Sequence, residues 1–218
     1  MTDFAQARLA MVNSQIRPND VTDHRIQDAM GALPREAFLP KAERTRAYAD
    51  VEVRLSDDRV ALRPMHLAKM IEAADIKPTD IVLDIACARG YSSAVLAQLA
   101  ETVVGLEAEG SGFAAKASER LPEVDADNAV IVEGDLQVGA PEHGPFDVIL
   151  VNGAVTSVPQ AWFDQLADQG RLIVIEQDGP VGRARLYTKV DGRIGERSVF
   201  DAAATVLPGF EPRQEFVF

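Results

Sequence analysis

Asp84, Gly90, Glu107 and Asp135 stand at intervals that suit the holding of a nucleoside cofactor. Each acid ends an apolar run: "DIVLD", "TVVGLE" and "NAVIVEGD". In a doubly wound sheet the ligand lies beyond the carboxyl ends of the strands, where the first strand-to-helix turn lets backbone approach it. The acid ending the second strand accepts hydrogen bonds from ribose hydroxyls. Glu107 holds that position, one helix and one strand after Gly90. Asp135 is placed to face an adenine amino group, and Asn152, Gly153 and Ala154 end a fourth strand over the place for chemistry. A dinucleotide turn would read G-x-G-x-x-G, but "DIACARG" supplies Ala86, Ala88 and Gly90. Asp84 would repel a pyrophosphate and suits a cofactor with a positive amino-acid head, which points to S-adenosylmethionine (SAM) rather than NAD or FAD. Each feature alone has a plainer source, since tight helix packing also selects small residues and strand-ending acids also cap helices. The coincidence of four is what argues for a cofactor.

The elements that must position these residues follow from hydrophobic periodicity. From Lys77 onward, strand and helix alternate: strands at 80–86, 102–108, 128–135, 146–154 and 171–177, helices at 91–100, 112–121 and 159–170. Gly170 reads as the C-cap of the last helix. The order predicts an α/β fold with a mostly parallel twisted sheet and helices on both faces. A hairpin is expected around Asp191-Gly192, and the tail 204–218 ends in a strand-like segment. The first 75 residues read as a mainly helical segment. A helix over 3–16 buries Leu9, Val12 and Ile16, a second over 22–33 starts at Thr22, and a third covers 65–76. "VEVRLSDDRVALRP" reads as a short strand and an Asp57-Asp58 turn. The expected division is 1–75, an N-terminal segment carrying the acceptor loop, and 76–218, the cofactor-binding domain.

Composition narrows the functional classes. With 22 basic and 34 acidic residues the formal net charge is -12, which argues against nucleic acid as a partner. The single cysteine, Cys87, forms no intramolecular disulfide and fits a reducing cytosol. No apolar run spans a bilayer, so a cytoplasmic protein is expected. His24, His66 and His143 show no metal-ligand spacing. His66, beside the acceptor loop, reads as a helix-surface residue or one that orients a substrate. Cys87 and Trp162 read as packing residues. Arg89 reads as a cation salt-bridged outward.

The chain resembles the protein-L-isoaspartate O-methyltransferase family along nearly its whole length. The resemblance rests on "LPREAF" (33–38), which is similar to the family's VPRExF signature, on "RPMHLAKMIEAADIKPTDIVLDIACARGYSSAVLAQLA" and on "GDLQVGAPEHGPFDVILVNGAVTSVPQAWFDQLADQGRLIV". It implies a Rossmann-like SAM-methyltransferase fold. It also implies transfer of a methyl group from SAM to the α-carboxylate exposed when an aspartyl or asparaginyl residue of a protein has isomerised, with S-adenosylhomocysteine as product. The cofactor would be held by Asp84, Ala86, Ala88, Gly90, Glu107, Asp135 and Asn152. The substrate loop would contain Asp58, Arg59, Leu62, Arg63, Pro64 and His66.

Three departures raise competing expectations. The family turn is E-x-G-x-G-x-G, and its first two glycines are Ala86 and Ala88 here. The family's glycine-rich loop and Thr-Ile-Ser become "SDDRVAL": Ser56 and Asp58 replace glycines, and Leu62 stands at the hydroxyl position. Asp57 and Asp58 add negative charge where a substrate carboxylate would approach, which Arg59 and Arg63 offset if they point inward. The family's Gly-Asp-Gly and Thr-Ala-Ala are Gly134-Asp135-Leu136 and Asn152-Gly153-Ala154. An isoaspartyl methyltransferase, a methyltransferase for another small acceptor, and an inactive relative kept as a binding or regulatory module all remain consistent with these changes.

Overall fold

The computed structural model describes residues 3–212. Asp3 caps α1 (Phe4–Met11) by accepting from the Gln6 amide. The helix runs on through a π turn, Val12–Ile16. That wider turn rotates the apolar face: Met11, Val12 and Ile16 are buried, whereas Leu9, expected beside them, is 60% exposed. α2 (His24–Ala32) is capped by Asp23 rather than Thr22. Thr22 is drawn away, because its amide and hydroxyl both donate to Glu72 Oε1. The proline-punctuated stretch forms 3-10 turns at Arg35–Phe38 and Lys41–Arg46. β1 (Val53–Arg54) and β2 (Val60–Ala61) pair antiparallel around the Asp57-Asp58 tip. α3 (Pro64–Ala74) begins with its proline in the first turn, where a missing amide costs nothing.

Alternation then sets in as expected: β3 (Ile81–Ile85), α4 (Tyr91–Ala97), β4 (Thr102–Ala108), α5 (Phe113–Arg120), β5 (Ala129–Gly134), β6 (Phe146–Val155), α6 (Gln160–Asp164), β7 (Leu166–Asp178), β8 (Val181–Val190) and β9 (Arg193–Asp201). The sheet order is β5-β4-β3-β6-β7-β8-β9. β3 to β7 are parallel, and β8 and β9 add antiparallel. The hairpin turns at Asp191 and Gly192, both at positive φ, as a two-residue connection needs.

The expected helix 159–170 is corrected. It ends at Asp164, because the Gln165 side chain donates to the Val138 and Ala161 carbonyls and accepts from the Ala140 amide. The chain joins the sheet at once, Leu166 opposite Phe146. Gly170 therefore lies within β7, where a Cβ would come 2.8 Å from the Ala167 carbonyl oxygen. The strand-like end of the tail falls on 213–218, outside the described residues. Before it, a strap crosses the end of β6: Ala154 donates to the Thr205 carbonyl, and Leu207 to that of Ala154.

Two apolar layers sandwich the sheet. One packs α1 to α4 against Val82, Val103, Val148, Leu150, Ile173 and Ile175. The other sets Trp162, Leu136, Leu207 and Phe210 against Leu83, Ile85, Leu106, Ile149 and Val151. The first core is continuous from the N-terminal helices into the sheet. Since strand side chains alternate, Asp84, Gly105, Glu107 and Asn152 all project on the side of the first layer, toward α4. Gly105 permits this close approach, because a Cβ there would meet Ile131 at 2.5 Å and Ser93 Oγ at 2.9 Å.

Candidate functional site

The chain runs β3-β4-β5 to one side and then crosses to β6 and β7 on the other. The switch point lies between β3 and β6, where such sheets bind ligands. Across it, Asn152 Nδ2 donates to Asp84 Oδ1 at 2.5 Å. The hydroxyls of Ser92 and Ser93, in the first turn of α4, donate to Asp84 Oδ2 at 2.7 and 2.6 Å. Asp84 is fully buried. Burial raises its pKa to about 6, against the three hydrogen bonds that pull it down. Neither serine was anticipated from sequence, although their spacing from Asp84 places them on the helix turn that faces a strand-end acid.

The turn itself keeps the backbone of a glycine turn without the glycines. Ala86 and Ala88 sit at φ 59° and 52°, and Gly90 at 89°. An L-residue in that left-handed region costs about 1–2 kcal/mol. We therefore expect Ala86→Gly and Ala88→Gly each to stabilise the protein by about 0.5 kcal/mol, the relief of strain being partly offset by the added chain freedom of glycine. Urea unfolding checks this, and destabilisation by either change would contradict it. Cys87, between them, is buried, and burial pushes its thiol well above the usual range. It is a packing residue and no nucleophile at neutral pH.

Glu107, the penultimate residue of β4, is 0% exposed. All its acceptor capacity is used. Arg59 reaches in from the β1–β2 loop and donates through Nη1 to Oε1 at 2.5 Å and through Nη2 to Oε2 at 3.1 Å. The Ala88 and Ala108 amides supply two more bonds at 2.7 and 2.9 Å. Arg59 Nη2 also donates to the Ala86 carbonyl at 3.0 Å, and the guanidinium lies 5.6 Å from the Phe113 ring centroid. Its Nε is buried without a hydrogen-bond partner. Arg59 thus points inward, not toward Asp57 or Asp58. No local sequence signal announces this, because its partner lies on another element.

Of the other loop positions, Leu62 is buried and its carbonyl accepts from Arg35 Nη2 at 2.6 Å. Arg35, itself buried, faces the Tyr91 ring at 4.8 Å. Arg63 pairs with Asp50 at 3.7 Å, Asp58 bonds the Ser56 hydroxyl, and Pro64 starts α3. His66 is not on a helix surface. It is 5% exposed and packs on Phe200 of β9, and burial holds its pKa down to about 4. Asp135 is exposed, and its Oδ1 accepts from the Gln137 amide. Arg89 makes no outward salt bridge among the described residues; burial and the neighbouring Arg120 and Arg44 lower its pKa.

The fit to a nucleoside cofactor is therefore divided. Beside Asp135, the residue expected to face an adenine, an open hollow of about 370 Å³ lies among Glu109, Asp135, Gln137 and Phe210. At the turn, the cavity beside Ala86, Ala88, Leu62 and Asn152 is about 30 Å³, room for little more than a water, where cofactor sites need about 300–1,000 Å³. Between them Arg59 takes up both carboxylate oxygens of Glu107, the acid expected from sequence to accept from a ribose. In this conformation the group does not fit without movement of the loop.

The parallel sheet, its switch point and its strand-end acids define a Rossmann-like methyltransferase. The chain belongs to the protein-L-isoaspartate (D-aspartate) O-methyltransferase family, a SAM-dependent family whose model matches residues 6–202. It is 38% identical to the protein-L-isoaspartate O-methyltransferase of Roseiflexus castenholzii over 83% of this chain and 79% of that one. With the protein of the same name from Koribacter versatilis it shares 36% identity over 96% and 94%. A solved Plasmodium falciparum structure assigned to the family, in complex with S-adenosyl-L-homocysteine, has the same fold: TM-score 0.78 at 20% identity, covering 92% of this chain and 97% of that one. Among the described residues no helix is long and apolar enough to cross a membrane.

Proposed function

We propose that this chain methylates a carboxylate of isoaspartyl-containing protein, using SAM. Asp84, Ala86, Ala88, Gly90, Glu107, Asp135 and Asn152 form the cofactor's place once the loop withdraws. The observation that carries the reading is the left-handed backbone at Ala86 and Ala88. Strain of this kind persists where function over-determines it, and here it preserves the cradle of a cofactor turn. A carboxylate is already a nucleophile, so the protein's part is orientation and exclusion of water. Leu62 and Leu207, both buried, supply apolar walls beside Asn152 and Gly153. Residues 1–75 and 76–218 divide this labour, acceptor loop against cofactor turn, within one continuous core. The acidic balance and the free buried cysteine suit a cytoplasmic protein acting on other proteins rather than on nucleic acid.

A specific pair of observations favours a second reading, an inactive relative: Glu107 is saturated by Arg59, and Leu62 stands where the family has a hydroxyl. Incubation with methyl-labelled SAM and paired isoaspartyl and aspartyl peptides separates the two. We expect base-labile label on the isoaspartyl peptide alone, increased about ten-fold or more by Leu62→Ser with Asp58→Gly, a change equivalent to about 1.4 kcal/mol in the barrier. Bound SAM with no labelled peptide would favour another acceptor. Neither binding nor label would favour the inactive relative.

A further inference from the structure

We propose that Arg59 is an internal competitor for the cofactor, its guanidinium occupying the ribose place at Glu107, so that a ribonucleoside ligand enters only as the loop 56–61 withdraws. The inference rests on the cofactor reading above and says how that site is controlled. A guanidinium edge presents two parallel N–H donors to a carboxylate. A ribose presents two neighbouring hydroxyl donors. Both satisfy the same acceptor, and Glu107 has no capacity to spare: Arg59 and two backbone amides already use both its oxygens. Occupancy is therefore mutually exclusive.

The loop is built to move between fixed ends. On one side Glu52 holds Thr205 through the amide and hydroxyl, at 3.0 and 2.8 Å. On the other, Arg35 holds the Leu62 carbonyl. Between these anchors β1 and β2 are two residues each. The tip is exposed and bonded within itself: the Asp57 side chain is 98% exposed and pairs with Arg54 of the same loop, and Asp58 accepts from Ser56. Of residues 54–61 only Arg59 is buried, at 5% exposure. Its seat is imperfect, with Nε buried and unpaired, so the ligand displaces an arrangement that leaves one donor unsatisfied. Displacement also frees a second cation beside the loop tip, where Arg54 pairs with Asp57 and Asp58 has no cationic partner among the described residues.

S-adenosylhomocysteine is the probe. It is titrated calorimetrically into the wild-type protein and into Arg59→Ala and Arg59→Gln. In parallel the wild type is digested with trypsin at rising ligand concentration, following cleavage after Arg59. We expect both variants to bind at least ten-fold more tightly, and cleavage of the Arg59-Val60 bond to accelerate as the ligand binds. If the variants do not fold, the wild-type digestion decides alone. Binding to the wild type with that bond still protected, or equal or weaker binding by the variants, would overturn the proposal and leave the cofactor reading intact. Absence of binding to wild type and variants alike would overturn both.

Discussion

Glu107→Ala is expected to destabilise the protein by about 3–5 kcal/mol, the largest effect of any single change at the site. The reason is the asymmetry of buried charge. The carboxylate is wholly inaccessible, and the guanidinium it holds is 5% exposed. Removing the acid strands a cation in an apolar setting beside Phe113 and leaves the Ala88 and Ala108 amides without an acceptor. Replacing both partners together tells a different story. Glu107→Leu with Arg59→Met exchanges two desolvated charges for packing, and buried pairs replaced this way cost far less than half-broken ones. The double variant should recover about 2 kcal/mol or more relative to Glu107→Ala. Urea or thermal unfolding of the set provides the check. A Glu107→Ala protein within about 1 kcal/mol of wild type, the range of exposed pairs, would mean that the ion pair does not persist in solution.

The second large effect is a pH dependence traced to Asp84. Its folded pKa stands at about 6, above the ordinary carboxylate value of 3.8, with burial the leading cause. The folded state therefore binds the proton more tightly than the unfolded chain. Asp84's contribution is fully present below about pH 4, falls as pH rises, and is gone above the folded value. A shift of this size corresponds to about 3 kcal/mol between those limits. Asp84→Asn removes the titration: its amide oxygen still accepts from Asn152, whereas its amide nitrogen donates to the two serine oxygens, reversing the bonds that those hydroxyls donate to Asp84. The difference in unfolding free energy between wild type and variant should therefore change across pH 4 to 7, in favour of the variant at the upper end. A difference that stays flat across that range would show that Asp84 does not carry a raised pKa.

Much of this site was legible in the chain because strand alternation is a strict rule. Once "DIVLDI", "TVVGLEA" and "DVILVNGA" are read as parallel neighbours, parity alone puts Asp84, Glu107 and Asn152 on one side. The small-residue turn likewise announced a tight strand-to-helix connection. What stayed hidden was set by side chains reaching between elements. Arg59 finds Glu107 48 residues away, and a loop's sequence does not encode the direction of one long side chain. Gly170 misled for a related reason. Its helix-ending chemistry was plausible, but Gln165 had already closed the helix through bonds to the 138–140 loop. Leu9 was misplaced by a single π turn, which no periodicity of 3.6 anticipates.

The strap across β6 bears on when the site comes into being. Thr205 meets Glu52 across 153 residues of chain, and Leu207 lies directly over Gly153. During synthesis, the strands that carry Asp84 and Glu107 emerge well before the segment that ties down the start of the β1–β2 loop through Glu52. Contacts between such distant segments form slowly, because the loop between them must first be closed. Asp84, Glu107 and the turn at Ala86–Gly90 therefore come together before Leu207 covers Gly153 and Thr205 ties down Glu52. A nascent chain that has released β3 to β9 but not yet the strap would hold a folded sheet with Gly153 uncovered.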